Sequence, residues 1–258
     1  MPLLDGRVAI VTGSGRGIGR GIAEKLAEEG AAVVVNGTTQ EMIDETVDLI
    51  RTAGGTATGF RADVRVAAEV EAMVAFALAE YGRVEILVNN AGVNRDAMFE
   101  RMTEEEWDDV IDTHLKGTWL CCKYAAPRMR EAGYGRVINI GSEGATYGNM
   151  GMINYVTAKA GLLGFTMTLA RELGRWARKD GISMTCNLLM PGYNDTRMTQ
   201  GVPDDVRERF LDAIALGRIA ETKEDVGSVV AFLASPAASY VTGAKFSAGG
   251  GIYINLAT

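Results

Sequence analysis

The chain has 258 residues, 47% of them hydrophobic and 23% charged, with a formal net charge of −7. That balance gives no general basic face for nucleic-acid phosphates or an anionic membrane, and no apolar stretch approaches the ~18 residues of a bilayer span. One histidine and three cysteines without C-x-x-C spacing argue against a metal cluster, a zinc site and a disulfide framework, so no metal is expected and the chain reads as a reduced, cytoplasmic protein.

Short β-branched apolar runs alternate with segments of helical period almost from end to end. Residues 8–11, 32–35, 84–88, 137–140 and 182–185 read as strands buried on both faces. Residues 18–29, 41–52, 66–81, 104–132 and 153–178 carry helical spacing between them. Thr103-x-x-Glu106 and Thr222-x-x-Asp225 have the form of capping boxes. Repeated strand-helix-strand units demand parallel strands with helices on both faces. The expected fold is therefore α/β, a doubly wound parallel sheet of Rossmann type, in one domain spanning residues 1–258.

The first strand runs into Thr12-Gly13-Ser14-Gly15-Arg16-Gly17-Ile18-Gly19, and a helical pattern begins at once. A glycine-rich turn in that position aims backbone amides and a helix N-terminus at a phosphate or pyrophosphate. The spacing is T-G-x-x-x-G-x-G, with Ile18 where the common dinucleotide fingerprint has its third glycine. The second strand ends in Asn36-Gly37-Thr38-Thr39 and offers no carboxylate to a ribose diol. Nothing there repels a 2′-phosphate, and Arg16 in the loop can pair with one, so NADP(H) is favoured over NAD(H).

Further along, Ser142 follows a strand at the sheet edge where α/β proteins bind ligands. Thirteen residues later Tyr155 and Lys159 stand four apart in a helical segment, hence on one face. An ammonium beside a phenol favours the phenolate, which would bring the tyrosine toward the range of a general acid/base at neutral pH. The serine hydroxyl could hold a substrate oxygen beside that phenol.

In these residues the chain resembles the short-chain dehydrogenase/reductase family over nearly its whole length. The matching motifs are Thr12-Gly13-x-x-x-Gly17-x-Gly19, Asp63-Val64, Asn89-Asn90-Ala91-Gly92, Ser142, Tyr155-x-x-x-Lys159, Asn187, Pro191-Gly192 and Thr196. The resemblance implies proton exchange with the substrate oxygen at Tyr155, orientation by Ser142, and a Lys159 that lowers the tyrosine pKa and binds the nicotinamide ribose. It implies cofactor contacts from the loop residues Gly13, Ser14, Arg16, Gly17, Ile18 and Gly19, and from Asn36 and Thr38. Further contacts fall to Asp63 and Val64 at adenine, to Asn90, Ala91 and Gly92 along the cleft, and to Pro191, Gly192 and Thr196 over the carboxamide. Where the family usually has an asparagine, thought to kink a helix and hold a relay water, this chain has His114, a fourth candidate catalytic residue whose replacement is expected to alter the pH profile of kcat. The usual acid before the final glycine pair is Ala248.

With His114, Tyr147-Gly148-Asn149 and Gly249-Gly250-Gly251-Ile252 the chain resembles (3R)-hydroxyacyl-CoA dehydrogenases. Through Gly217-Arg218 and Val241-Thr242-Gly243 it resembles 3-oxoacyl-[acyl-carrier-protein] reductases comparably. The expected reaction interconverts a 3-oxoacyl thioester, on CoA or acyl-carrier protein, and its 3-hydroxyacyl form. The alternative is an unrelated alcohol such as a sugar, polyol or steroid, with NAD. An acidic carrier would want a basic patch, for which Arg95, Arg101, Arg128, Arg130 and Arg171 are candidates. Family members are commonly tetramers, so the resemblance also implies a homotetramer with helices 104–132 and 153–178 between subunits.

Overall fold

β1 (Val8–Val11), β2 (Ala32–Gly37), β4 (Ile86–Asn89), β5 (Tyr134–Ile140) and β6 (Ser183–Pro191) grow from the five apolar runs. With β3 (Thr56–Arg61) and β7 (Lys245–Ala248) they form one seven-stranded parallel sheet in the order β3-β2-β1-β4-β5-β6-β7 in the computed structural model, which describes residues 2–194, 208 and 211–252. Side chains alternate across each strand. Ala9, Val11, Val33, Val35, Ile86, Val88, Ile138 and Ile140 pack on one face, whereas Ile10, Val34, Leu87 and Val137 pack on the other.

Helices α1 (Gly17–Glu28) and α2 (Gln40–Thr52) cover the first face together with α8 (Ser228–Ala234). The second face lies under α3 (Ala67–Tyr81), α5 (Gly117–Glu131) and α7 (Ile153–Asp180). Between β4 and β5 runs α4 (Glu104–Ile111), and between β5 and α7 the short α6 (Gly144–Tyr147). Among the described residues no helix is long and apolar enough to cross a membrane.

Three expectations need correction. Strands β3 and β7 were not legible in the sequence because both lie at the edges of the sheet: half-exposed positions break the apolar run that marks a strand buried on two faces. The expected continuous helix 104–132 is interrupted by a π-helical turn, Asp112–Lys116, with His114 at its centre. Thr103 and Glu106 do form a reciprocal capping box, but Thr222 does not cap its helix. It lies inside a second π-helical turn, Thr222–Gly227, while the Asp225 carboxylate accepts from the Glu221 amide and pairs with Arg218.

The order of strands reverses at β1 and β4, which opens a crevice at the carboxyl ends of the sheet. The glycine loop leaves β1 there, Asn90 leaves β4, and Ser142 follows β5.

Candidate active site

The glycine loop is held from below by side chains that the sequence assigned to the cofactor. Asn36 is buried; its Nδ2 donates to the Phe60 and Ala62 carbonyls and its Oδ1 accepts from the Gly13 amide. Ser14 is buried too, donating to the Val11 carbonyl and accepting from the Asn36 amide. Val64 lies in the core under α5. The side chains of Asn36, Ser14 and Val64 are therefore engaged within the protein. Asn90 braces the loop by donating to the Thr12 and Gly13 carbonyls, and a methyl on Gly19 would come 2.4 Å from the Asn90 amide nitrogen.

What remains open to the crevice fits a dinucleotide. No side chain caps the N-terminus of α1, so its first amides face outward with the positive end of the helix dipole. Arg16 and Thr38 are exposed, and the Arg16 guanidinium pairs with nothing among the described residues. Asp63 is bound by Arg65, which bridges on to Asp109 and holds the Asp63 carboxyl below its usual range. Pro191 closes β6 and Gly192 lies against Gly249. Thr196 lies outside the described residues.

Ser142, Tyr155, Lys159 and His114 come together at one end of this crevice. Ser142 Oγ accepts from the Gly144 amide at 3.2 Å, which leaves its hydrogen free for the Tyr155 phenol. Lys159 is buried, with Nζ donating to the Ile140 carbonyl at 2.6 Å and lying 5.6 Å from the centre of the Tyr155 ring. The His114 ring stands edge-on to Tyr155, centroids 5.3 Å apart at 90°. His114 Nε2 meets the Val93 carbonyl at 2.9 Å, and Nδ1 is buried without a partner.

The electrostatics differ from the expectation. Tyr155 is not brought down by Lys159. Burial raises the phenol above its ordinary value, and the hydrogen bond with Ser142 only partly offsets this. Burial also brings Lys159 down to about 7, which leaves its ammonium only partly formed at neutral pH. His114 is pushed down to about 3 by burial and by Lys159. It is neutral across the physiological range, and the expected pH signature from this residue loses its basis.

The lysine carries a test of its own. Its folded-state pKa lies below the unfolded one, so the unfolded chain binds the extra proton between about 7 and 10.5 and stability rises with pH across that window. Lys159→Met should raise the unfolding midpoint at pH 6, where the full penalty of the buried ammonium applies, by the equivalent of a few kcal/mol. The gain should shrink toward pH 10.5, and an equal gain at both pH values would contradict the assignment.

Two polar residues here were missed by the sequence reading. Asn154, buried at the start of α7, donates to the Arg95 and Glu106 carbonyls and accepts the Tyr155 amide at 2.7 Å, which fixes where the tyrosine enters. Its only signal was a short polar residue in the first turn of a helix. Glu143, next to Ser142, is buried at 4% exposure; its backbone amide donates to the Pro191 carbonyl at 3.2 Å, and its carboxylate has no hydrogen-bond partner among the described residues. A glutamate directly after a strand-end serine has no local signature.

Of the candidate basic patch, Arg95, Arg128 and Arg130 are paired with Asp109, Glu131 and Asp180, and Arg101 sits 3.9 Å from Glu100. Arg171 alone of the five has no such partner among the described residues. Cys121, Cys122 and Cys186 are buried free thiols.

Comparison with known proteins places these features in a wider set. Residues 13–253 match the family model described as enoyl-(acyl carrier protein) reductase. The chain is 41% identical over 247 residues to 3-oxoacyl-[acyl-carrier-protein] reductase FabG of Staphylococcus aureus, covering 95% of this chain and 98% of the relative. It is 44% identical over 251 residues to short-chain reductase protein NovJ of Streptomyces niveus, covering 95% and 93%. A solved structure described as a short-chain alcohol dehydrogenase from Sinorhizobium meliloti 1021 superposes with a TM-score of 0.91 at 36% identity, covering 98% of this chain and 99% of that one.

Proposed function

The chain belongs to the short-chain dehydrogenase/reductase family of oxidoreductases, and on that premise we propose that it reduces a 3-oxoacyl thioester to its 3-hydroxyacyl form with NADP(H). The observation that carries this reading is the meeting of Tyr155, hydrogen-bonded to Ser142, with the buried Lys159 at the end of the crevice. A phenol that keeps its proton at neutral pH is a general acid, the partner a ketone oxygen needs as it becomes an alcohol.

A bound nicotinamide dinucleotide supplies the hydride. The chain's own residues do the rest. The Ser142 hydroxyl turns from the Tyr155 phenol to the substrate oxygen and orients it, and Tyr155 gives that oxygen its proton. Lys159, near half-charged at neutral pH, replenishes the phenolate or steadies it. His114 acts as a neutral wall that fixes the tyrosine ring. Uncapped amides of α1 receive the pyrophosphate, and Arg16 with Thr38 receives the 2′-phosphate. The 3-oxoacyl-[acyl-carrier-protein] reductases among the relatives support an oxygen, rather than a carbon of a double bond, as the proton acceptor. An assembly of four chains is part of this reading, supported by exposed Trp119 on α5 and Leu163 and Met167 on α7.

The test compares kcat/KM with NADPH and NADH on acetoacetyl-CoA and on sugar, polyol-derived and steroid ketones. The thioester with NADPH should be preferred. Arg16→Ala should lower kcat/KM for NADPH about 10- to 100-fold, the size of a lost charge-assisted hydrogen bond, and leave NADH unchanged. A better rate on a non-acyl ketone with NADH would replace this reading by that of an unrelated alcohol dehydrogenase.

A further inference from the structure

Two carboxylates are buried among the described residues, Glu85 and Glu143. Glu85 pairs with Arg7 and accepts the Val8 amide. Among the described residues no hydrogen bond or ion pair engages the Glu143 side chain, its Oε1 is closed off from solvent, and the group that feels its charge is the Tyr147 phenol. A buried carboxylate oxygen without a partner is unfavourable, and a cationic group brought to it from outside would compensate it.

The protein makes room for this side chain. A methyl on Gly249 would lie 2.8 Å from Glu143 Cγ and 3.2 Å from Oε1. The preceding residue, Ala248, stands opposite Pro191 in the sheet, and the Glu143 amide donates to that same Pro191 carbonyl. Glu143 thus sits between Ser142, where the reacting oxygen is held, and the Pro191-Gly192 turn that borders the nicotinamide end of the crevice.

Glu143 is placed to meet a cation brought to that end. Of the described cations at the crevice, Lys159 is turned to the Ile140 carbonyl, and Arg16 lies at the other end, in the loop after β1. The reaction class brings one cation of its own, the oxidised nicotinamide ring. We infer that Glu143 is the counter-charge to that ring, a residue that makes bound NADP+ more stable relative to bound NADPH and so biases the site toward reduction.

The charge balance follows the chemistry. The hydride, with its electron pair, passes to the carbonyl carbon while Tyr155 gives its proton to the oxygen. The ring would be left with one positive charge, and Tyr155 becomes a phenolate that regains its proton through Lys159 and, ultimately, from solvent. Glu143 interacts with the charge formed in that step and gains little before it. In a cleft of low effective dielectric, such a pair acts over several ångströms without contact. This inference rests on nicotinamide use and not on the identity of the ketone.

Binding separates the two. Dissociation constants for NADP+, NADPH and the nicotinamide-free fragment 2′-phospho-ADP-ribose are measured by tryptophan fluorescence for the unmodified protein and for Glu143→Gln, Glu143→Met and Glu143→Asp. Both neutral variants should raise Kd(NADP+)/Kd(NADPH) about 10-fold or more, with the fragment's affinity unchanged, whereas Glu143→Asp keeps the ratio within about threefold. Equal weakening of both forms, or an unchanged ratio in the neutral variants, overturns the inference and marks Glu143 as structural. Should one neutral variant not fold, the other carries the comparison. The same ratio is read with NAD+ and NADH: a preference for that pair sinks the NADP(H) reading and leaves the role of Glu143 standing, and no binding of either pair sinks both.

Discussion

Tyr155→Phe lowers kcat about 10²- to 10⁴-fold, the usual worth of a positioned general acid, while NADP+ and NADPH bind as before. The variant removes one oxygen. The ring remains, and with it the edge-on contact to His114 at 5.3 Å and the backbone anchor through Asn154 at 2.7 Å. Its fold should therefore be intact, with an unfolding midpoint near that of the parent. What is lost is the proton and the hydrogen bond that Ser142 makes. Steady-state turnover of acetoacetyl-CoA together with fluorescence titration of the cofactor checks this. Activity within tenfold of the parent, at unchanged cofactor affinity, would remove Tyr155 from the chemistry and with it the proposed reduction.

The second large effect is expected at Gly92, an exposed position where a methyl group would ordinarily be harmless. Here the added carbon would fall 2.3 Å from His114 Cε1 and 3.1 Å from each ring nitrogen. The imidazole has nowhere to go: it is 1% exposed, its Nε2 is tied to Val93, and its edge abuts Tyr155. Gly92→Ala should destabilise the protein by about 1–3 kcal/mol, the range for an overpacked site, and reduce kcat by displacing Tyr155. Adding His114→Asn should recover most of both losses, since the shorter side chain vacates the space. The double-mutant cycle is then strongly non-additive, by about 1–3 kcal/mol. Additive effects would show that Gly92 is a glycine for some reason other than the histidine.

That pair shows where the sequence was readable. The five strands buried on both faces and the long amphipathic helices announce themselves, because uniform burial leaves an uninterrupted apolar run and one-sided burial leaves a 3.6-residue period. Edge strands β3 and β7 carry neither mark. The glycine loop, Ser142, Tyr155 and Lys159 were visible as an ordered series, yet their electrostatics were not. A lysine four residues after a tyrosine suggests a lowered phenol pKa, but burial acts on both groups, and it depresses the lysine and raises the tyrosine. Burial is a property of the surrounding elements and cannot be seen in a spacing. The same holds for Asn36 and Ser14, whose positions pointed to the cofactor and whose side chains turned out to be braces. Glu143 was invisible for the converse reason, since an acid is read as surface until its neighbours are known.

The helix that follows the glycine loop also imposes a timetable on biosynthesis. Helix α1 does not rest on its neighbours in sequence alone. A methyl on Gly21 would strike Thr222 at 2.4 Å, Gly227 is pressed against Lys25, and Ile22, Ala23 and Leu26 share their core with Val226, Val230 and Leu233. A ribosome that has translated the first hundred codons has made the whole nucleotide loop and the first strands under its helix, but not the C-terminal part of the platform. Until the last fifth of the chain emerges, that apolar stripe stays uncovered, a surface for chaperones to hold or for neighbouring nascent chains to stick to. The part of the message read earliest becomes competent near the end, so a truncation after β6 would yield a polypeptide that contains every loop glycine and still has no firm seat for a nucleotide.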